Sequence, residues 1–346
     1  MTFHIGILGG GNISQTHARA ASEIAGAKIV AFCGQNAGNV GRLAATFGGR
    51  AYQDLQAFLN HRPMEVVLIG SPSGLHAEQG IQAARRGLHL LVEKPLAITT
   101  EEADVLIAEC EGAGVKLGVF FQDRVAPDLI RLKEFLDAGK LGKPFLASAR
   151  VKWHRPPEYY ADSRWRGTWA LDGGGALMNQ GIHTVDSLLW LMGDVRAIWA
   201  RAISARHNIE VEDTLVAALQ FTSGALGTLE VTTSVYPGSP RRLEVSGSEG
   251  TIIIQGSRVI SADLHTSAAE FLVQPPSAHD ERAISPLISD THGHRRLIED
   301  LLQAIVTRRR PLCDGREARR SVDLVRAIYD STPTQRLTDT SSASGP

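Results

Sequence analysis

The chain reads as an α/β protein in two parts: an N-terminal parallel sheet wound with helices, then an α+β part with a large, mostly antiparallel, open-faced sheet. Three observations predict this. A glycine-rich turn, Gly9-Gly-Gly-Asn-Ile-Ser14, sits between a short apolar run and a helical stretch. Strand-like and helical segments then alternate to about residue 121. From Gln122 onward, strand-like segments follow one another with few helices between them. Alternation favours a parallel sheet covered on both faces, and successive strands favour an antiparallel one.

His4 to Leu8 is a short buried strand, the helix after the turn ends near Ile24, and Lys28 to Phe32 is the second strand. Strand, glycine turn, helix and strand in this order form the dinucleotide-binding pattern of a Rossmann domain. Gly9 and Gly11 take the first two glycine positions and Ser14 the third. The early glycines allow a tight turn and close approach of a pyrophosphate. The helix N-terminus at Asn12 and Ile13 supplies amide donors. An acid at the end of the second strand would bind the adenosine ribose and repel a 2′-phosphate. Gly34 and Gln35 stand there instead. NAD and NADP both stay open, and the missing acid leans the reading to NADP. No arginine follows at once to hold the phosphate; Arg42, on the next helix, is the candidate.

The alternation continues through Gly38–Phe47 (helix), Glu65–Ile69 (strand), His76–Arg86 (helix), His89–Val92 (strand), Glu101–Cys110 (helix) and Lys116–Phe120 (strand). Thr99 with Glu102 makes a capping box for the last of these helices. Ser71, Pro72, Leu75 and His76 lie on a small-residue loop at the ligand edge, where a dinucleotide can pass close. The strand Leu90–Val92 delivers Glu93, Lys94 and then Pro95, which stops it. A lysine after a strand is usually a solvated surface group. This one ends a strand of a nucleotide-binding sheet, at the edge where such sheets do chemistry.

In the second part Pro127–Ala138 is a helix closed by Gly139. Strands follow at Phe145–Trp153, Arg196–Ser204, Thr214–Phe221, Leu226–Val235, Arg241–Ser246 and Thr251–Gln255, with a turn at Gly247–Gly250. One helix, Ala176–Leu191, interrupts them after Gly173-Gly-Gly175. Asn179, His183 and Asp186 recur on it at i, i+4 and i+7, which places them on one face. Helical periodicity returns near 293–306 and 316–329. Before the glycine run come Trp153-His-Arg-Pro-Pro, Tyr159-Tyr160 and Trp165-Arg-Gly-Thr-Trp169. Aromatic faces and donors of this kind suit a sugar, and Trp165, Arg166 and Tyr236 are candidates to line it, Arg166 for a carboxylate or phosphate. The domains are 1–121 and 122–330, with 331–346 read as a disordered tail.

Composition narrows the function. Lysine plus arginine (36) balance aspartate plus glutamate (37) among 346 residues, so no basic field draws nucleic acid or anionic membrane. The three cysteines fit neither a disulfide framework nor a zinc knuckle. No window reaches a membrane span and no export signal is read ahead of the first strand, so a reducing cytoplasm is the expectation. His292 and His294 are close in sequence, but no ligand set accompanies them, and no metal is expected.

These features together resemble the Gfo/Idh/MocA oxidoreductase family over residues 3 to about 330. The resemblance rests on Gly9–Ser14, Ser71-Pro72 with His76, Glu93-Lys-Pro95, Gln122-Asp-Arg124 and Gly173 to His183 with Asp186. It implies NAD(P)-dependent hydride transfer to or from a secondary alcohol or ketone of a sugar, inositol or sugar derivative. Lys94 matches the family's active-site lysine and His183 its catalytic histidine. Glu93 and Gln122 fall at the cofactor and Arg124 at the substrate. Asn179 stands where the family often has an aspartate. An amide positions a hydroxyl but accepts no proton at neutral pH. His183, titrating near neutrality, is the favoured acid/base, with Lys94 orienting the oxygen; the reverse assignment is nearly as good. The sheet implies a homodimer or homotetramer. A redox-cycling glycosidase with held NAD, or a non-catalytic dinucleotide sensor, is the alternative.

Overall fold

Strands that bury on both faces build the first sheet, and their sequences are accordingly continuous apolar runs such as Val66–Ile69. The computed structural model describes residues 2–265, 271, 273–275, 283 and 290–332. Its first layer holds β1 (Phe3–Leu8), α1 (Asn12–Ser22), β2 (Ala27–Cys33), α2 (Ala37–Phe47), β3 (Arg50–Tyr52), α3 (Leu55–Leu59), β4 (Val66–Ile69), α4 (His76–Ala84), β5 (His89–Val92), α5 (Thr100–Gly112) and β6 (Leu117–Val119). The strand order is β3-β2-β1-β4-β5-β6, with every pair parallel. The order reverses direction at β1, so the crevice beyond the C-terminal ends of β1 and β4 is the topological switch point where such sheets bind ligands. The Gly9 and Gly70 turns meet there. A Cβ on Gly9 would lie 2.5 Å from the Gly70 carbonyl oxygen, and its φ of +132° suits glycine.

The second layer begins with α6 (Pro127–Asp137) and β7 (Pro144–Lys152). A four-residue α7 (Glu158–Ala161) and a π-turn (Leu177–Gly181) lead into α8 (Ile182–Met192). There follow β8 (Val195–Ile203), β9 (Thr214–Phe221), β10 (Leu226–Thr232), β11 (Arg242–Gly247), β12 (Gly250–Gln255), β13 (Arg258–Leu264), α9 (His292–Thr307) and α10 (Gly315–Asp330). The sheet runs β13-β12-β11-β7-β10-β9-β8 and is antiparallel except where β7 meets β10. Alternate residues face inward: Ala147, Ala149, Val151, Leu215, Leu229 and Val245 share one buried core with Ile182, Val185 and Leu188 of α8. The other face carries Leu146, Trp199, Val216 and Leu226, each more than 40 % exposed.

The last helices return to the first layer. Leu297, Ile298 and Leu301 of α9 join Ile5, Ala18 and Ala21 in a second core. Four of these strands and α-helices were not expected from sequence: β3, α3, α7 and β13. β3 has three residues and α3 five, too few for a period to show, although Asp54 caps α3 by accepting from the Ala57 amide. From residue 333 on, the segment read as a disordered tail lies outside the described residues.

Candidate active site

The dinucleotide end of the site is a helix terminus without its own cap. Gly11 precedes α1 and contributes no side chain, and the first turn contains no acid. The amides there are open to an acceptor, and a Cβ on Gly11 would meet nothing within 4 Å. Ser14 Oγ is buried beneath the turn with no hydrogen-bond partner. This arrangement fits a pyrophosphate. At the end of β2, Gly34 packs against Val40 and the Gly9–Gly10 backbone, Gln35 is exposed, and Arg42 projects from the exposed side of α2. No carboxylate takes the ribose position in the sequence there.

The loop after β4 is pinned rather than loose. His76 is 1 % exposed, and its ring nitrogens face the carbonyls of Pro95 (2.7 Å) and Ser71 (2.9 Å). Ser71 Oγ donates to Gln79 Oε1 at 2.6 Å. His76 thereby ties the loop carrying Ser71, Pro72 and Leu75 to the turn after Lys94.

Glu93 and Lys94 leave β5 in opposite roles. The Glu93 carboxylate is buried, accepts from His17 Nε2 at 2.9 Å, and faces His294 Nε2 at 3.6 Å. These histidines hold it well below the usual carboxylate range despite burial. Gln122 Nε2 contacts His294 Nε2 at 2.8 Å. Glu93 and Gln122, expected at the cofactor, are thus engaged with histidines behind the strand. Their neighbours came from α1 and α9, far off in sequence. One atom each of His17, Glu93 and His294 lies within 4.8 Å of the others, a spacing that suits an ion. Yet His17 Nδ1 has no partner, whereas a metal-bound histidine almost always donates its second N–H. Hydrogen bonds account for this cluster.

Lys94 points the other way. Its Nζ donates to the backbone carbonyl of Asn179 at 2.8 Å. Burial lowers its pKa, opposed by the charges of Glu93 and Asp172 and aided by those of Arg155 and Arg166. His183 lies on the same side, with its ring edge-on to Phe121 at 5.7 Å. Burial and the Lys94 charge push its imidazole down to about 3. Against the expectation that His183 titrates near neutrality, desolvation first and the neighbouring cation second favour its neutral ring.

The expected stripe of Asn179, His183 and Asp186 does not form. The π-turn at Leu177–Gly181 adds residues to the turn and breaks the 3.6 period before α8 begins. Asn179 Nδ2 donates to Asp172 Oδ1 at 2.7 Å, so the side chain expected on the substrate is turned to a carboxylate. Asp186 pairs with Arg124 through two bonds of 2.8 Å, deep inside. Arg124 also faces Glu317 and stacks over Trp190. Arg124, expected at the substrate, is held in a buried pair that joins the two layers; its partner lies 62 residues away in sequence.

Asp172 was missed by sequence reasoning. A carboxylate directly ahead of a glycine run was the available signal. It is 2 % exposed, accepts from Gly167 N at 2.9 Å as well as from Asn179, and burial pushes it up to about 6. The glycines that follow are required by contact: a Cβ on Gly175 would sit 1.7 Å from the Glu212 carbonyl oxygen. Glu212 accepts from the Gly175 and Leu177 amides and from Tyr329 Oη, which fixes the entry to the π-turn.

Two guanidiniums complete this side. Arg166 lies over the Tyr159 ring at 4.2 Å and the Trp165 ring at 5.4 Å. Its Nε is buried with no hydrogen-bond partner among the described residues. Arg155, 3 % exposed, lies over the rings of Trp153 and Tyr159. Tyr236, by contrast, is 78 % exposed and meets His154 edge-on. The described contacts do not bring it to Lys94.

A Rossmann crevice that leads to a half-buried lysine with a histidine on the same side defines a dinucleotide-dependent oxidoreductase. Residues 3–121 match the family described as an oxidoreductase family with an NAD-binding Rossmann fold, and residues 129–253 match the GFO/IDH/MocA C-terminal domain. The chain belongs to the Gfo/Idh/MocA family. It is similar to the WlbA dehydrogenase from Bordetella pertussis, solved in complex with NADH and UDP-GlcNAcA, at 32 % identity and a TM-score of 0.86 over 96 % of each chain. It is 29 % identical to D-xylose 1-dehydrogenase (NADP(+)) 2 from Haloferax volcanii, over 82 % of this chain and 83 % of that one. It is 28 % identical to myo-inositol 2-dehydrogenase from Thermotoga maritima, over 73 % and 75 %. The protein is an NAD(P)-dependent oxidoreductase of sugar or polyol CH–OH groups. No described helix is long and apolar enough to cross a membrane.

Proposed function

We propose that the substrate is an anionic sugar, a nucleotide-linked sugar acid, whose secondary hydroxyl is oxidised beside Lys94. The observation that carries this is Arg166, whose buried Nε lacks a partner while Tyr159 holds the guanidinium plane. A buried donor without an acceptor is costly, and a substrate carboxylate would satisfy it in a bidentate fashion. Arg155 adds a second positive charge near Lys94. The UDP-GlcNAcA complex of the Bordetella pertussis dehydrogenase supports a substrate of this class.

The nicotinamide, when bound, supplies the hydride acceptor. Gly9, Gly11 and the amides of Asn12 and Ile13 would hold the pyrophosphate, and Gln35 the ribose. Lys94, its pKa lowered by burial, takes the hydroxyl proton. His183 stays neutral and hydrogen-bonds the same oxygen, which orients it. The lower basicity of His183 favours Lys94 as the proton acceptor. Asn179 contributes its backbone carbonyl, which aims Nζ.

The outer face of the second sheet fits a second copy of the chain. Trp199, Val216 and Leu226 are large apolar side chains exposed on three adjacent strands, and Val216 lies between Arg201 and Glu230, so the face offers both apolar surface and charge for a partner to cover. The buried free thiols Cys33, Cys110 and Cys313 suit a reducing cytoplasm.

The test compares UDP-GlcNAcA with an uncharged UDP-sugar in wild type and Arg166→Met. The expected result is a KM for the acid raised roughly 10–100-fold, the value of one charged hydrogen-bonding pair, with the neutral sugar little affected. An equal change for both sugars would remove Arg166 as the carboxylate anchor.

A further inference from the structure

We infer that Asp172 is a positioning residue for the reaction: it holds the Asn179 amide, and through the Asn179 carbonyl and its own charge it sets the aim and basicity of Lys94. The inference rests on the reading of Lys94 as the proton acceptor. The path is continuous. Asp172 Oδ2 is anchored by the Gly167 amide at 2.9 Å, and Oδ1 takes Asn179 Nδ2 at 2.7 Å. The Asn179 carbonyl then receives Lys94 Nζ at 2.8 Å. No single local element provides this geometry. Gly167 belongs to the loop before the glycine run, Asn179 to the π-turn, and Lys94 to the end of β5. A π-turn within a helix frequently marks a functional site, and here it presents one carbonyl to the lysine.

The residue types fit the task. A carboxylate at 179 would sit against Asp172, two like charges in one dry place. Asparagine at 179 instead donates to Asp172 and leaves a single negative charge beside Lys94. The groups that face Asp172 are Lys94 from the β5 end, Arg166 and the Gly167 amide from the preceding loop, Asn179 from the π-turn, and Tyr159 and Tyr160 from α7. The groups that face Lys94 are Glu93, Asp172, Arg155 and Arg166, with the imidazoles of His183 and His76 close enough to feel its charge. Glu93 is already bound to His17, so Asp172 is the carboxylate placed on the substrate side. In the direction of alcohol oxidation, the substrate hydroxyl proton moves to Lys94 Nζ as the C–H hydride leaves for the oxidised dinucleotide. Asp172 takes up no proton in this step. Its charge raises the lysine's basicity against burial and the two guanidiniums.

The test uses Asp172→Asn, which keeps the shape and the acceptor but removes the charge. Two readouts are taken on the full-length protein: the pH profile of kcat/KM, and the pH dependence of Lys94 acetylation by acetic anhydride, followed by mass spectrometry. Loss of an adjacent opposite charge moves the lysine pKa down by about one unit. Both the acetylation midpoint and the alkaline-rising limb should shift to lower pH by that amount, and Asp172→Glu should restore both. Acetylation and limb both superimposing on wild type would overturn the inference. A shifted acetylation midpoint with an unmoved limb would keep the coupling and refute Lys94 as the proton acceptor. If Asp172→Asn fails to bind NADH, Asp172→Glu decides. A wild-type midpoint with NADH bound supports the inference, and loss of NADH binding in both variants makes Asp172 a folding residue and sinks it.

Discussion

Replacing His183 by Gln should make the protein less sensitive to mild acid. The folded imidazole sits at about 3 because it is desolvated beside Lys94. In the unfolded chain it returns to roughly 6.5. Below that value the unfolded state binds a proton that the folded state refuses, so stability falls as pH drops from 6.5 toward 3. Each unit in that window is worth about 1.4 kcal/mol, so moving to pH 5 costs at most about 2 kcal/mol through this one group. The side chain is half-buried, and solvent screening brings the expected share nearer to about 1 kcal/mol. Gln keeps a polar side chain and does not titrate. Urea unfolding of the cofactor-free protein at pH 7.5 and pH 5.0, followed by tryptophan fluorescence, gives the stability lost by each form. His17 and His76 are also depressed by burial and contribute to both, so the difference between variant and wild type isolates His183. The variant should lose about 1–2 kcal/mol less than wild type. Equal losses, or a greater loss in the variant, would refute a neutral, depressed His183 and return it to the role of a base near neutrality.

Three other expectations follow from the same structure. Asp186→Asn leaves Arg124 buried against a neutral partner; with Glu317 at 3.4 Å as partial relief, the cost is about 3 kcal/mol and a melting point lower by roughly 6 °C or more, read by calorimetry. Trp199→Lys, on the outer sheet face, should lower the mass found by light scattering from a multiple of 37.3 kDa toward that value, with the melting point of the monomer unit little changed. Arg42→Ala should lower kcat/KM with NADP by about tenfold and leave NAD unaffected if this arginine meets a 2′-phosphate; identical effects on both cofactors would assign the adenosine end to other residues.

Local features carried much of the architecture. The glycine turn, the apolar run ending in Glu93-Lys-Pro95 and the alternation of segments are short-range patterns, and they located the crevice and its lysine. What the sequence hid was non-local or irregular. Arg124 carries no mark that its partner is Asp186, and Glu93 none that His17 and His294 surround it. The stripe on α8 failed for a different reason. A 3.6-residue period was assumed through Leu177–Gly181, where the chain takes a π-turn, and the side chains before and after that turn face different neighbours. Asp172 was visible as a residue but not as a participant, because its importance depends on the lysine 78 positions earlier in the chain.

The most direct measurement is the absorbance of reduced nicotinamide after UDP-GlcNAcA is added to enzyme with NAD or NADP, run in parallel on wild type and Lys94→Met, with NADH binding followed by fluorescence. Wild type should give reduced cofactor and Lys94→Met none above background, with the same NADH affinity in both. Turnover by Lys94→Met at the wild-type rate would remove Lys94 from the chemistry.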